Sequence, residues 1–282
     1  MEDQNCTATV IMNALSTLTP PQLSDLIHSV SSLHHLHRRR LSSLLSSPNL
    51  FSLTLHHLHS LSLHRKSLLI ARHLLLTLTH LIRFMQTKTA PPSYAVTTLK
   101  LRDLDAVLLL LLLCELRQHH PTALETPHGK WRVALCEYVS DSMLTLSGIG
   151  VSNSEVLIKY IEVVTKCRRF VNVMGCDGGG GKEGREIATS AAVVVALPSV
   201  EVSGSGKECV ICKEEMREGR DVCELPCEHL FHWLCILLWL RKRNTCPCCR
   251  HRLPTDDVIG EIQRLWEVLI KIGGGDPSKF SA

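Results

Sequence analysis

The chain has 282 residues, a hydrophobic content of 45% and a formal charge of +4. This composition excludes wholesale disorder and allows one or two domains with a sizeable buried core. The charge is uneven, because residues 26–102 contain ten Lys and Arg and no Asp or Glu, so that the rest of the chain is net acidic. Eight of the thirteen cysteines lie between Cys209 and Cys249. We therefore expect two parts with different chemistry.

Leucine dominates the first part of the chain, where it supplies 32 of the first 116 residues, while aromatic residues make up only 4% of the whole. Such a composition favours helices over sheets. Prolines at positions 20, 21, 48, 91, 92 and 121 divide this part into segments of helical length. We predict a mainly α fold, with a helical region over residues 1–174 that serves substrate binding, membrane attachment or targeting.

Two interpretations of residues 26–102 remain open. A stretch rich in Ser, Leu, Arg and His without acidic residues is typical of plastid and mitochondrial transit peptides. The spacing of Leu33, Leu36, Leu41 and Leu44 instead indicates amphipathic helices, with residues 38–40, all arginine, on the solvated face. We favour the helices, because patterned leucine continues beyond a normal targeting length. A basic amphipathic surface of this kind would be attracted to anionic lipid headgroups.

The histidines of the first part do not form a recognisable metal site. Their spacing matches no defined site, and no cysteine or carboxylate joins them, so we expect them on helix surfaces. They are His34, His35, His37, His56, His57, His59, His64, His73 and His80.

Neither a secretory signal nor a transmembrane helix is expected. The first three residues, Met1-Glu2-Asp3, are acidic where a signal peptide is basic. The longest strictly apolar run, Ala106–Cys114, is bounded by Asp105 and Glu115 and is shorter than the roughly 20 residues that a spanning helix needs. In a reducing compartment, clustered cysteines indicate metal binding rather than disulfide pairing.

Glycine and serine separate the helical region from the cysteine-rich end. Residues 178–181 are all glycine, and residues 203–206 read Ser-Gly-Ser-Gly, a composition typical of flexible linkers. We predict a linker with a short apolar helix over residues 175–206, a cysteine-rich domain over 207–254, a C-terminal helix over 255–272 and a tail over 273–282. Thr255 can cap that last helix, and its apolar residues form one stripe.

The cysteine-rich domain presents a series of metal-ligating residues. In order, they are Cys209, Cys212, Cys227, His229, His232, Cys235, Cys246 and Cys249. Zinc prefers four tetrahedral sulfur or nitrogen ligands, and a two-residue gap lets a tight turn direct two thiolates at one ion. Eight ligands therefore suit two zinc ions. Cys248 is the alternative to Cys249, which we choose because it leaves the usual two-residue gap after Cys246. Cys223 is expected to be a packed residue, and neither spare cysteine has the surroundings of a catalytic thiol.

This order of ligands resembles the RING finger of the RING-H2 subclass. PHD fingers place one histidine after four cysteines, and nucleic-acid fingers with two cysteines and two histidines place both histidines last. The resemblance implies a cross-brace of two zinc sites. One would use Cys209, Cys212, His232 and Cys235, and the other Cys227, His229, Cys246 and Cys249. A domain of about 45 residues has a small core, so zinc should supply much of its folding free energy.

The resemblance also implies an activity. RING fingers generally act as E3 ubiquitin ligases, which bind a ubiquitin-charged conjugating enzyme and promote transfer of ubiquitin to a lysine of a protein substrate. By similarity, Ile211, Trp239 and Pro247 form a shallow groove for the conjugating enzyme. Arg250 matches the linchpin that contacts the conjugating enzyme and ubiquitin together and is the expected catalytic residue, without a nucleophile. The two zinc ions would be structural, since protein fills all their positions.

Segments outside the finger resemble plant ubiquitin ligases of the shoot-gravitropism class. These segments are residues 93–97, 100–107, 168–175, 253–257 and 261–267. This resemblance implies association with amyloplasts and control of their interaction with actin filaments. We expect a plastid location on the cytosol-facing surface, because import would separate the finger from cytosolic conjugating enzymes; a cytoplasmic location is the alternative. The alternative function is a zinc-stabilised scaffold without transferase activity. Nucleic-acid binding is not expected, because aromatic stacking platforms are scarce.

Overall fold

The computed structural model describes residues 2–85, 99–146, 153–175, 188–202, 206–216 and 221–275. These residues form two compact units. The helical unit contains residues up to 85, those between 99 and 175, and those from 265 onward, whereas the finger unit contains residues 188–264. The predicted mainly α fold is confirmed.

Seven helices and one 3-10 turn make up most of the helical unit. They are α1 Glu2–Leu15, α2 Pro20–Ser46, α3 Pro48–Ser60, α4 Leu63–Met85, α5 Leu101–His119, the 3-10 turn Pro121–Glu125, α6 His128–Leu146 and α7 Asn153–Gly175. Proline occupies the first position of α2 and α3, where its missing N–H is not needed. The backbone N–H of Leu50 donates to the Ser47 hydroxyl at 3.3 Å and thereby caps α3.

Helix α5 lies at the centre of a leucine-rich core, as its sequence predicts. Ala106, Val107 and Leu109 are fully buried, and α5 packs against α3. Leu101, at the start of the helix, is exposed. Helix α7 packs against α1, α2 and α4, so the apolar faces of the helices bury one another. Residues 20–85 therefore form packed helices, as the spacing of their leucines indicates.

Helix α4 is, among the described residues, the helix that is long and apolar enough to cross a membrane. Half of its apolar window is buried within the protein, and Leu74, Leu78 and Leu81 have no exposed surface. Core helices of bundles combine length and apolarity in the same way. The expectation that the chain has no transmembrane helix stays a prediction.

Arg40, in the basic stretch of the chain, forms a salt bridge with Asp105 of α5. Arg40 donates two hydrogen bonds to the Asp105 carboxylate, from Nε at 3.1 Å and from Nη2 at 2.6 Å. Asp105 is buried and Arg40 is only partly exposed, so the predicted solvated position of Arg40 is wrong. A buried carboxylate is tolerated when a bidentate guanidinium neutralises it. The pair therefore ties α2 to the centre of the core.

Burial also corrects the prediction that the histidines lie on helix surfaces. His35, His56, His59 and His64 are exposed, but His73 is buried and its ring lies 5.6 Å from that of His37. Burial lowers the pKa of both His37 and His73 to about 4. Both side chains are therefore neutral at physiological pH; His73 lies in the core, and His37 is half-buried beside it.

The finger unit is built on a small antiparallel sheet of three strands in the order β1-β2-β3. The strands are β1 Ser199–Val200, β2 Val222–Glu224 and β3 Leu230–His232, preceded by helix α8 Ala191–Val195 and followed by α9 Trp233–Leu240. Cys223 pairs with Ser199 on one side and with Phe231 on the other. The fully buried side chains of Phe231 and Ile236 lie at the centre of the core.

The segment before residue 206 is part of this unit. The predicted short apolar helix is present as α8, and it is followed by β1, which the sequence did not predict. Val193, Leu197 and Val202 are buried in the same core as Phe231. The predicted glycine run at 178–181 lies outside the described residues, and the predicted domain boundaries stay a prediction.

Helix α10 spans Val258–Ile272 and begins three residues after the predicted start. Thr255 does not cap it; the Thr255 hydroxyl accepts a hydrogen bond from the Asp257 N–H at 3.3 Å, and Asp257 accepts one from the Ile259 N–H at 3.1 Å. The predicted apolar stripe is buried at Ile262, Leu265, Trp266, Leu269 and Ile270. The residues from 265 onward belong to the helical unit, where Trp266 stacks under the guanidinium of Arg168 at 3.5 Å.

The Arg40 and Asp105 pair yields a test of the helical core. Replacing Arg40 by Met should lower the free energy of unfolding by about 3 kcal/mol, because the Asp105 carboxylate would stay buried without its partner. The exposed neighbour Arg39, replaced by Met, is the matched control and should change the stability by less than about 0.5 kcal/mol. Urea unfolding followed by circular dichroism measures both. Equal stability of the two variants would contradict the structural role of the pair.

Candidate metal centre

Two short turns of the same geometry carry four of the predicted ligands. In the first, Lys213 follows Cys212 with a φ of 62° and donates its N–H to the carbonyl of Cys209 at 2.7 Å. The Cys209 N–H in turn donates to the carbonyl of Glu214 at 2.9 Å. A left-handed residue directly after the second cysteine reverses the chain, so that both sulfurs lie on the same side of the turn.

The second turn repeats this pattern around Cys246. Arg250 follows Cys249 with a φ of 59° and donates its N–H to the Cys246 carbonyl at 3.0 Å. The Cys246 N–H donates to the carbonyl of His251 at 2.8 Å, as Cys209 does to Glu214. Each turn is also closed by a short antiparallel bridge, from Glu208 to Glu215 and from Thr245 to Arg252. The two turns are therefore equivalent structures.

This equivalence bears on the choice between the last two cysteines. Cys249 precedes the left-handed residue, as Cys212 does in the first turn, whereas Cys248 takes the position of Ile211. The sulfur of Cys249 lies with the other ligands, and Cys248 is exposed outside the cluster. The spacing argument thus agrees with the geometry.

The eight predicted ligands converge in two groups. The first contains Cys209, Cys212, His232 and Cys235, and the second Cys227, His229, Cys246 and Cys249. Within each group the ligand atoms all lie within 4.8 Å of one another. Ligands of one group alternate with those of the other along the sequence, so the second group encloses the segment that completes the first. This is the cross-brace that the resemblance implies.

Strand β3 and the start of α9 orient the histidines. His232 directs Nδ1 toward the sulfur of Cys212 at 3.3 Å, and His229 directs Nδ1 toward the sulfur of Cys227 at 3.4 Å. His232 is buried, and Cys235 follows it within the first turn of α9. A neutral imidazole nitrogen and a thiolate at this separation can share one metal ion.

The residues fit two tetrahedral zinc ions. Three thiolates and one imidazole at each ion leave a net charge near −1, which backbone donors can offset. Backbone N–H groups of Ile211 and Cys212 hydrogen-bond to the sulfur of Cys209, and that of His251 hydrogen-bonds to the sulfur of Cys249. Because protein supplies four ligands at each site, bound zinc stabilises the fold and has no position for a reacting water.

Cys223 has no part in either group. It is fully buried in β2, and burial, with a smaller effect of Glu224, raises the pKa of its thiol to about 12. A thiol of this kind is protonated and unreactive at neutral pH. The prediction that Cys223 is a packed residue is confirmed.

The predicted groove residues are only partly buried. Ile211 lies inside the first turn, Pro247 inside the second, and Trp239 in the last turn of α9. Ile211 and Trp239 contact the finger core with part of their surface. The indole Nε1 of Trp239 donates to the carbonyl of Thr245 at 2.7 Å, and the Arg243 guanidinium lies 4.9 Å from its ring. Trp239 is therefore held in one orientation, and part of its apolar surface stays exposed.

Arg250 has a backbone fixed by the second turn and an exposed side chain. Within the part of the chain that the structure describes, no carboxylate pairs with its guanidinium. A guanidinium with five donors and no internal partner is available to an external acceptor.

Comparisons with known proteins agree with this geometry. A family model described as the ring finger domain matches residues 207–250. Over 96% of its length, the chain is 54% identical to the E3 ubiquitin-protein ligase SGR9, amyloplastic, of Arabidopsis thaliana, of which the match covers 98%. The chain belongs to this family of RING-H2 E3 ubiquitin-protein ligases.

Two further matches cover less than a quarter of the chain. The E3 ubiquitin-protein ligase RNF181 of Xenopus laevis is 53% identical over 68 residues, which are 23% of this chain and 44% of that protein. The crystal structure of the RING-H2 domain of Arabidopsis RMR1 matches 23% of this chain and 91% of its own, with 36% identity and a TM-score of 0.22.

The adjacent cysteines Cys248 and Cys249 give a test of the ligands of the second site. Replacing Cys249 by Ser should abolish one zinc site and reduce the zinc content from two ions per chain to one or none, with loss of the finger's cooperative unfolding. The Cys248→Ser variant is the matched control and should keep both ions. Zinc is measured by atomic absorption on purified full-length ligase. Retention of two ions by the Cys249 variant would exclude the second group as drawn here.

Proposed function

We propose that the ligase promotes the transfer of ubiquitin from a charged conjugating enzyme to substrate lysines by holding the two proteins in a reactive arrangement. The observation that carries this proposal is the pair of complete four-ligand clusters in a chain that matches a ubiquitin ligase along nearly its whole length. The ligase supplies no covalent intermediate, because its spare finger cysteines are a buried thiol, Cys223, and an exposed thiol, Cys248, whose pKa is raised by partial burial and by Cys246.

The groove for the conjugating enzyme consists of Ile211, Trp239 and Pro247. Two of these residues lie inside the zinc turns and the third lies on α9, so zinc binding fixes all of them at once. Partly exposed aromatic and apolar side chains held rigidly are typical of the residues that dominate binding energy in interfaces. Their remaining exposure supports docking over a purely internal role.

Arg250 is proposed to contact the conjugating enzyme and ubiquitin together. Its side chain is exposed and has no internal carboxylate partner in the described residues, and its backbone position is set by the turn that holds Cys249. A planar guanidinium can donate to acceptors of two proteins at once, which restricts the motion of the thioester. This restriction raises the rate of attack by a lysine without chemistry on the ligase itself.

We further propose that the ligase acts at the cytosol-facing surface of amyloplasts, where it controls their interaction with actin. Its relative SGR9 is named amyloplastic. Residues 20–85 form packed helices, which fits a folded domain better than a cleaved leader. Exposed Arg39, Arg65 and Arg72 leave positive charge on this domain, and such charge attracts anionic lipid headgroups.

The groove and the linchpin can be separated kinetically. Trp239→Ala should raise the conjugating-enzyme concentration for half-maximal ubiquitin discharge by about thirtyfold, because truncating such a residue costs about 2 kcal/mol. Arg250→Ala should lower the maximal discharge rate by about tenfold or more and leave that concentration nearly unchanged. Both are measured as discharge of ubiquitin from the conjugating enzyme to free lysine.

Leu234→Ala is the control, since Leu234 is an exposed apolar residue at the other end of α9. Wild-type behaviour of Trp239→Ala would eliminate the groove. Absence of discharge by the unmodified ligase across a broad panel of conjugating enzymes would instead favour the zinc-stabilised scaffold.

The location is tested by protease treatment of isolated amyloplasts from plants that express a tagged full-length ligase. On the cytosol-facing surface, the tag should be degraded by external protease while a stromal marker stays intact. Protection of the tag until the envelope is lysed would show import and contradict the surface location. Recovery of the tag only in the soluble fraction would show the cytoplasmic alternative.

A further inference from the structure

The segment Thr189–Val202 precedes the residues that the ring finger model matches, but it is built into the finger. Val193, Leu197 and Val202 are buried beside Phe231. Strand β1 pairs with β2, and the indole of Trp233 donates to the Ser199 hydroxyl at 3.1 Å. The segment therefore contacts the finger through its core, its sheet and its helix α9.

The first residue of this segment meets the C-terminal end of α9. The last carbonyls of a helix have no partner within the helix. Thr189 provides two donors there, because its N–H bonds to the carbonyl of Leu240 at 2.9 Å and its hydroxyl bonds to the carbonyl of Arg243 at 3.3 Å. Thr189 is only 8% exposed, so water does not readily replace these bonds. Thr189 thus caps α9 from a distant part of the sequence.

The capped turn holds Trp239 from both sides. The N–H groups of Lys242 and Arg243 donate to the backbone carbonyl of Trp239 at 3.0 and 2.9 Å. The indole N–H of Trp239 donates to the carbonyl of Thr245 at the end of the same turn. Movement of residues 241–245 would therefore shift the ring. Thr189 opposes that movement by bonding to carbonyls at the start and in the middle of the turn.

The next residue fixes the chain that leaves the second zinc turn. The Ser190 N–H donates to the carbonyl of Pro254 at 3.0 Å, and the adjacent Leu253 N–H donates to the carbonyl of Asn244 at 2.6 Å. The turn after α9 and the segment that follows Arg250 are thereby joined to one another and to the segment before the finger.

We propose that Thr189 is a positioning residue for the conjugating-enzyme groove, which acts by holding the turn that orients Trp239. This inference rests on the proposed function, because it takes Trp239 as a docking residue. Thr189 itself is buried and does not reach the partner. The segment before the finger is accordingly a working part of the ligase module.

Thr189→Val in the full-length ligase tests the proposal, because valine keeps the shape and removes the hydroxyl. The conjugating-enzyme concentration for half-maximal discharge should rise about threefold to tenfold, the effect of one lost hydrogen bond. The indole N–H resonance of Trp239, assigned with Trp239→Phe, should shift, and the zinc content should stay at two ions per chain. Thr189→Ser should restore the wild-type concentration dependence.

Ser190→Ala is the matched control. Ser190 is equally buried, but its hydrogen bonds to other described residues are made by its backbone and not by its hydroxyl. It should behave as wild type. The inference is overturned if Thr189→Val leaves the conjugating-enzyme concentration for half-maximal discharge unchanged while Trp239→Ala raises it. Loss of zinc by Thr189→Val would also overturn it, because that would show a purely structural role. Unchanged behaviour of Trp239→Ala in the same assay would refute the groove instead.

Discussion

Convergence of eight sulfur and nitrogen ligands on two points sustains the whole finger. The sheet has strands of two or three residues, and α9 has two turns, so hydrogen bonds and apolar burial alone would hold them weakly. Two ions bound by interleaved ligands connect the two turns, β3 and α9 to one another. The surface of the finger therefore depends on metal sites that lie inside it.

The two zinc turns carry the proposed docking surface as well as metal ligands. The same left-handed residue that directs a pair of thiolates inward places the residues between them on the outside. Ile211 and Pro247 occupy such positions, and Arg250 is itself the left-handed residue of the second turn. A non-glycine residue with positive φ carries a conformational cost that the metal cluster must outweigh. The proposed docking face is thus positioned by the same turns that hold the metal ligands.

The zinc ligands could be predicted from the sequence because their signal is local. Spacing between cysteines restricts which sulfurs can share an ion, and the choice of Cys249 over Cys248 needed only a two-residue gap. The helices were predictable for a similar reason, since leucine periodicity and proline positions are properties of neighbouring residues. The start of α10 was misplaced because Thr255 and Asp257 both have the chemistry of a cap.

Contacts between distant residues were not predictable in this way. No residue near Arg40 in the sequence indicates that Asp105 is its partner. Because residues 26–102 contain no acidic residue, a buried cation there needs a partner from another part of the chain. Thr189 likewise precedes Leu240 by 51 positions, and its capping role has no local motif. His73 was expected on a helix surface because it belongs to no recognisable metal site, whereas the structure buries it beside the ring of His37.

The division of α10 between the two units has a consequence for how the ligase is made. Leu265, Trp266 and Leu269 are buried in the helical unit, yet they are synthesised after the last zinc ligand. Every residue of the finger is therefore synthesised before the part of α10 that belongs to the helical unit. A chain that terminated just beyond Arg264 could bind both metal ions, but its leucine-rich unit would lack the buried side chains of Leu265, Trp266 and Leu269. Quality control that monitors exposed apolar surface would recognise such a product by its helices and not by its finger.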